Sequence, residues 1–374
     1  MLKNTVLQLA EFGQSVWLDY ISRSIIETGK LKSMIDMGLR GMTSNPSIFN
    51  KAVSGAQEYD REIEKAYKSE KTILEIYDDL TVRDIRDAAD IFKDVYEKTN
   101  GLDGYVSLEI NPKLAYNTRK TIEEGKRLYE KVNRPNVMFK VPSTDEGFPA
   151  VEELISECIN VNITLIFSLQ QYEETTKAYF RGLEGLLQKG GELSKVHSVA
   201  SVFVSRKDTS VDNLIEERLS KEKDKASKSK LESLKGKAGI ANSALIYERY
   251  LEIFYGDDFR KLQEKGANVQ RVLWGSTSTK NPTYSDIKYV TELIAKNTVN
   301  TMPENTLSAF LDHGVVKEAL TGDASEYHKV ISELRGIGID INDVCRKLLE
   351  DGVEAFEESF NSLLNSIEEK SKAL

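Results

Sequence analysis

The sequence predicts an α/β fold, a single (β/α)8 barrel of the TIM type with additional helices that include a helical C-terminal extension. Eight short apolar runs alternate with segments of helical spacing, and no two of those runs are joined by a hairpin turn. Right-handed crossovers then close parallel strands into a barrel. A doubly wound open sheet is the alternative, but no strand-turn-helix junction carries G-x-G-x-x-G or G-x-x-x-x-G-K-[ST], which removes the usual nucleotide fingerprints. We expect one domain over residues 1–374, with a barrel core at 14–320 and helices at 321–374.

Leu2 to Phe12 has helical spacing, and Gln14 to Asp19 reads as a strand ending in a carboxylate. Helices follow at Ser22 to Thr28, where Gly29 is the expected stop, and at Leu31 to Met37. Leu39 to Pro46 is the second strand, halted by Asn45-Pro46. Helical runs cover Ile48 to Asn50, Gln57 to Tyr67 and Lys71 to Thr99, the last with a broad apolar face. Tyr105 to Ile110 is the third strand, before a helix from Lys113 to Val132. The fourth strand, Asn136 to Pro142, leads to a helix at Phe148 to Cys158. In the fifth, Ile159 to Phe167, period two places Asn160, Asn162 and Thr164 on one face and Val161, Ile163 and Leu165 on the other. A helix at Tyr172 to Leu187 precedes the sixth strand, His197 to Arg206. The Lys-rich segment Arg218 to Lys237 reads as an exposed helix or mobile loop. Helices at Ala238 to Tyr255 and Asp258 to Gly266 come before strands at Arg271 to Lys280 and Thr298 to Pro303. Helical pattern dominates from Pro303 onward, and that tail would pack outside the barrel or cover one mouth.

Composition narrows the function classes. A net charge of −9 argues against a general nucleic-acid surface. Cys158 and Cys345 lie in helix-like runs without metal spacing, so buried free thiols are expected. His197, His313 and His328 are scattered, and neither a metal nor a cofactor is signalled. No apolar run approaches the ~20 residues of a membrane span. The N-terminus lacks a signal-peptide pattern, and a soluble, cytoplasmic monomer or homodimer is the expectation.

The fourth strand carries the least ordinary residue. Lys140 lies inside an apolar run, where desolvation would lower its pKa and free the amine to attack a carbonyl. The bland alternative is a strand-end lysine that snorkels to water. In a barrel of this type the active site gathers at the C-terminal strand ends, and those ends carry Asp19, Asn45, Glu109, Asn162, Thr164, Ser201, Arg206, Ser278 and Lys280. Each has its own bland reading. Asp19 and Asn45 suit turns or N-caps, Glu109 and Arg206 suit the surface, and Asn162 and Thr164 suit lumen hydrogen bonds. Trp17 and Trp274 read as packing residues. Together the ends make an inventory for imine chemistry on a phosphorylated carbonyl compound: an embedded amine, two carboxylates, amides and hydroxyls, and a cationic pair.

On these residues the chain resembles the transaldolase family, in particular its longer bacterial branch. The motifs are Trp17-Leu18-Asp19, Gly41 to Phe49, Ser107 to Ile110, Lys140-Val141-Pro142, Asn160 to Ser168, Ser201 to Arg206, Trp274 to Pro282 and Thr298 to Pro303, in the family's order. The resemblance implies transfer of a dihydroxyacetone unit between sugar phosphates in the pentose phosphate pathway, for example from sedoheptulose 7-phosphate to glyceraldehyde 3-phosphate. It implies Lys140 as the Schiff-base lysine and Asp19 as the base that takes the C4 hydroxyl proton. Glu109 would relay protons through a water held by Thr164, and Asn45 and Asn162 would hold substrate hydroxyls. Ser201, Arg206, Ser278 and Lys280 would bind phosphate.

The related fructose-6-phosphate aldolases carry Tyr and Gln where this chain has Phe203 and Glu109, so both positions point to the transferase. Such an aldolase, or a non-catalytic sugar-phosphate-binding barrel, is the rival reading. Two departures from the family pattern stand out. Ile110-Asn111 replaces Val-Asp, where a turn-capping role is expected. Lys280 replaces the common Arg, giving a point charge in place of a bidentate fork.

Overall fold

A computed structural model describes residues 4–373. Strands β1 (Gln14–Asp19), β2 (Gly41–Thr43), β3 (Tyr105–Glu109), β4 (Val137–Pro142), β5 (Val161–Ile166), β6 (Ser198–Phe203), β7 (Arg271–Gly275) and β8 (Thr298–Met302) form a closed parallel barrel in chain order. β8 returns to β1 through the pair Gln14↔Thr298. Nearly every strand residue is buried, as a parallel barrel sheathed in helices requires.

The lower lumen is filled by Trp17, Tyr105, Met138, Val199, Leu273 and Val299. Gly41 makes room for that layer, because a Cβ there would lie 2.6 Å from the Trp17 indole. Trp17 and Trp274 are both fully buried, in keeping with a packing role. At the N-terminal strand ends Arg271 pairs with Asp103 at 2.8 Å and donates to Ser15 Oγ at 2.8 Å. This ion-paired layer closes one end of the barrel.

Several elements differ from the sequence reading at their ends. β2 is three residues long, since Leu39 and Arg40 only lead into it. The first helix is Thr5–Phe12, capped by Asn4, and Leu2 lies outside the described residues. The Lys113 helix begins as a 3-10 turn, Pro112–Leu114, and restarts at Thr118 under an Asn117 cap. Asn111 accepts from Lys113 N at 3.1 Å, the turn-capping role expected of it. The charged stretch after Arg218 is helical over Lys225–Leu234, anchored by buried Leu231 and Leu234. Cys345 is buried and Cys158 partly exposed, so the expectation of two buried thiols holds for one. No helix among the described residues is long and apolar enough to cross a membrane.

The helix Ile341–Ala373 decides where the C-terminal extension goes: it lies across the C-terminal mouth of the barrel. It packs on the helices Pro46–Gly55, Asp60–Lys68 and Ile73–Lys98 and touches β5. Gly352 permits the approach to β5, since a Cβ there would sit 3.0 Å from Leu165 Cδ2. Leu165 itself has φ 58°, at a register shift between Ile163 and Ile166 that breaks the regular ladder. Farther along, Phe360 meets Tyr77 edge to face at 5.1 Å, and Ser366 Oγ donates to Asn50 Oδ1 at 2.9 Å.

Candidate active site

The β3–β4 register sets Glu109 opposite Lys140, and their side chains meet. Lys140 Nζ lies 2.7 Å from Glu109 Oε2, an ion-pair contact too oblique for a well-formed hydrogen bond. It also donates to Ser44 O at 2.8 Å. Both residues are buried, which excludes the surface reading of Glu109 and the snorkelling reading of Lys140. Lys140 is therefore not the solitary amine that its apolar strand suggested. Burial pushes the Glu109 carboxyl above its ordinary pKa range, helped by the Asp19 charge and opposed by Lys140.

Asp19 ends β1 opposite Thr43. Thr43 Oγ1 donates to Asp19 Oδ1 at 2.8 Å and lies 3.0 Å from Thr301 Oγ1, so the carboxylate is held from β2 and β8. The next helix takes its cap from Ser22, so Asp19 has no capping role there. Burial raises the Asp19 pKa, against the pull of Lys140, Thr43 and Lys280.

Asn45 does cap a helix, accepting from Ile48 N at 3.0 Å, and it lines the same cavity. Its Nδ2 is the part left for other bonding. Asn162 is fixed on both sides, donating to Ser107 Oγ at 3.1 Å and accepting from Ser201 Oγ at 2.6 Å. The Ser201 hydroxyl thus orients Asn162. Thr164 Oγ1 is buried with no hydrogen-bond partner among the described residues.

Two further cations, Arg206 and Lys280, line the same cavity. Arg206 belongs to the first turn of the helix Ser205–Leu219, a correction to its placement at a strand end, and it is partly buried where a loop charge would be exposed. Burial alone pulls its pKa down, with no carboxylate among the described residues near enough to offset that. Its guanidinium lies 5.7 Å from the Phe203 ring centroid. Ser278 and Lys280 follow β7 in a loop, and Lys280 Nζ donates to Ser278 Oγ at 2.7 Å.

One cavity of about 500 Å³ brings together Asp19, Asn45, Lys140, Asn162, Thr164, Ser201, Phe203, Arg206, Ser278 and Lys280. Glu109 stands directly behind Lys140. A larger hollow of about 760 Å³, bordered by Gly236, Lys317 and Tyr327, contains none of these groups. The active cavity also takes in residues that the sequence reading did not single out: Tyr20, Thr43, Lys51, Thr301 and, from the closing helix, Ala355, Phe356 and Ser359. Thr43 sat within a quoted motif; nothing in the helical pattern distinguished Phe356. An amine against a buried carboxylate, a second carboxylate in the same cavity and two cations lining it can form an imine on an anionic carbonyl compound and move its protons.

Comparison with known proteins agrees. Residues 16–367 match the family described as Transaldolase/Fructose-6-phosphate aldolase. The chain is 48% identical to the transaldolase of Trichodesmium erythraeum, covering 100% of this chain and 99% of that protein. It is 46% identical to transaldolase 2 of a Nostoc species, with 100% and 99% covered. Against the transaldolase of Mycobacterium ulcerans it is 44% identical, with 100% and 98% covered.

Proposed function

The chain belongs to the transaldolase/fructose-6-phosphate aldolase family, and on that premise we propose that it is a cytoplasmic transaldolase that moves a dihydroxyacetone unit from a ketose phosphate to an aldose phosphate. The carrying observation is the contact of Lys140 Nζ with buried Glu109 at 2.7 Å, in a cavity that also holds Asp19 and the Arg206–Lys280 cations.

Lys140 attacks the donor ketone once its ammonium has lost a proton. Glu109 is the adjacent acceptor, and its raised pKa makes that transfer less uphill than it would be to an ordinary carboxylate. The same carboxyl then returns a proton as the carbinolamine loses water, with the Thr164 hydroxyl available to hold that water. Asp19, braced by Thr43, takes the C4 hydroxyl proton as the C3–C4 bond breaks. The electron pair of that bond flows into the iminium and leaves an enamine on Lys140. Asn45 Nδ2 and Asn162 hold hydroxyls of the three-carbon unit. Arg206, Lys280 and Ser278 bind the phosphate, with Phe203 beside the guanidinium. Ser201 acts by orienting Asn162. An acceptor aldehyde then takes the enamine carbon, its oxygen receives the proton held by Asp19, and water adds to the resulting iminium so that the carbinolamine releases the new ketose phosphate and frees the Lys140 amine.

Fructose 6-phosphate supplied with and without erythrose 4-phosphate tests this reading. Turnover should require the acceptor, and steady release of dihydroxyacetone without it would identify an aldolase.

A further inference from the structure

We propose that Phe356, on the closing helix, is a positioning residue that shields the enamine on Lys140 and so sets the split between transfer and loss of the three-carbon unit. The inference rests on the Schiff-base reading above. Among the described residues, no element after Glu304 other than the helix Ile341–Ala373 reaches the cavity, and it does so through Ala355, Phe356 and Ser359. The Phe356 ring centroid stands 5.8 Å from Lys140 Nζ.

The helix that carries this ring is held on both sides of the mouth. Gly352 lies against Leu165 on one side, and Phe360 against Tyr77 on the other. Phe356 packs against the cluster that contains Leu165 and Phe167 but is only partly buried and also lines the cavity.

The waiting enamine has one destructive route. A proton added to its nucleophilic carbon regenerates an iminium, water adds at the imine carbon, and the carbinolamine expels the Lys140 amine as dihydroxyacetone leaves. One water is consumed in total and no oxidant is needed. An apolar ring over the amine excludes that water and brings no acid of its own, while the acceptor is drawn by its phosphate to the Arg206 and Lys280 side.

The test uses the full chain with Phe356→Ala, Phe356→Leu and Phe356→Tyr. Each is given fructose 6-phosphate with erythrose 4-phosphate, and free dihydroxyacetone is measured against transferred product. In Phe356→Ala the ratio of release to transfer should rise on the order of tenfold, with borohydride still trapping an adduct on Lys140. Phe356→Leu should restore most of the shielding. A residue that only stabilised the fold would lower both products together, so an unchanged ratio in an alanine variant that still transfers would overturn the proposal. If the alanine variant does not fold, Phe356→Tyr decides: its hydroxyl puts a proton donor and its hydration water on the ring that covers the enamine, so increased release supports the proposal and an unchanged ratio overturns it. A wild-type chain without acceptor-dependent transfer would overturn the function reading, and this inference with it.

Discussion

Lys140 and Glu109 occupy paired positions on β4 and β3, and their charged ends meet 2.7 Å apart, shut away from solvent. Such a pair is costly to bury and loses most when one partner is removed. Glu109→Gln retains the shape and removes the proton acceptor. Imine formation, followed as the rate at which borohydride fixes a sugar adduct, should slow by roughly 10²- to 10⁴-fold. An unaltered rate would show that Lys140 loses its proton by another path.

Asp19 separates the two halves of the reaction. In Asp19→Ala the adduct on Lys140 should still form, while cleavage and transfer fall by about 10²- to 10⁴-fold; loss of trapping in a folded variant would contradict the assignment. The pH profile follows from the raised pKa. The proposed base must be ionised, so kcat/KM should fall as acid protonates Asp19, and the acid limb should lie above the ordinary aspartate value of 3.8. A limb at or below that value would disagree with a buried carboxylate.

Arg206 is half-buried without a carboxylate partner among the described residues. A charge-assisted hydrogen bond contributes about 1.5–3 kcal/mol, so Arg206→Ala should lower kcat/KM for sugar phosphates by about 10- to 150-fold. Unphosphorylated fructose should be affected far less. Lys280→Arg offers a fork where the wild type has a point charge, and a lowered KM is the expected sign that Lys280 contacts the phosphate.

The arrangement was legible in the sequence where chemistry interrupts a pattern. Lys140 within an apolar strand, and Asn162 and Thr164 on one face of β5, stand out because a buried polar group needs a reason. The pattern places Arg206 in a strand because the apolar run Val199 to Val204 does not announce that β6 stops at Phe203 and a helix begins at Ser205. Phe356 was hidden for the opposite reason. Apolar spacing along a 33-residue helix marks a buried face, yet which of those residues faces a cavity depends on how the helix crosses the barrel. The hydrogen bond from Ser201 to Asn162 likewise exists only once neighbouring strands are in register.

The lower end of the barrel makes its own test of packing. A methyl group at Gly41 would enter the Trp17 indole, which is fully buried and has nowhere to move. Gly41→Ala should cost about 1–3 kcal/mol of unfolding free energy, read from the urea midpoint. A neutral effect would mean that the lumen repacks freely.

His197 lies beside Tyr105 and near Arg271 at the same end. Burial, then the Arg271 charge, lowers its pKa from 6.5 to about 4. Above pH 6.5 it is neutral both folded and unfolded, and its environment carries no penalty. As pH falls from there toward 4, the unfolded chain takes up a proton that the folded chain refuses, and stability is lost by on the order of 3 kcal/mol. His197→Gln should flatten that part of the stability profile; a slope equal to wild type would place the acid sensitivity elsewhere.

The central claim is that Lys140 forms the covalent bond to the substrate. Incubation with fructose 6-phosphate, reduction with borohydride and peptide mass analysis address it most directly. The expected result is a reduced sugar or three-carbon adduct on the peptide that contains Lys140, absent in Lys140→Met. An unmodified Lys140 peptide from protein that turns over substrate would contradict the account.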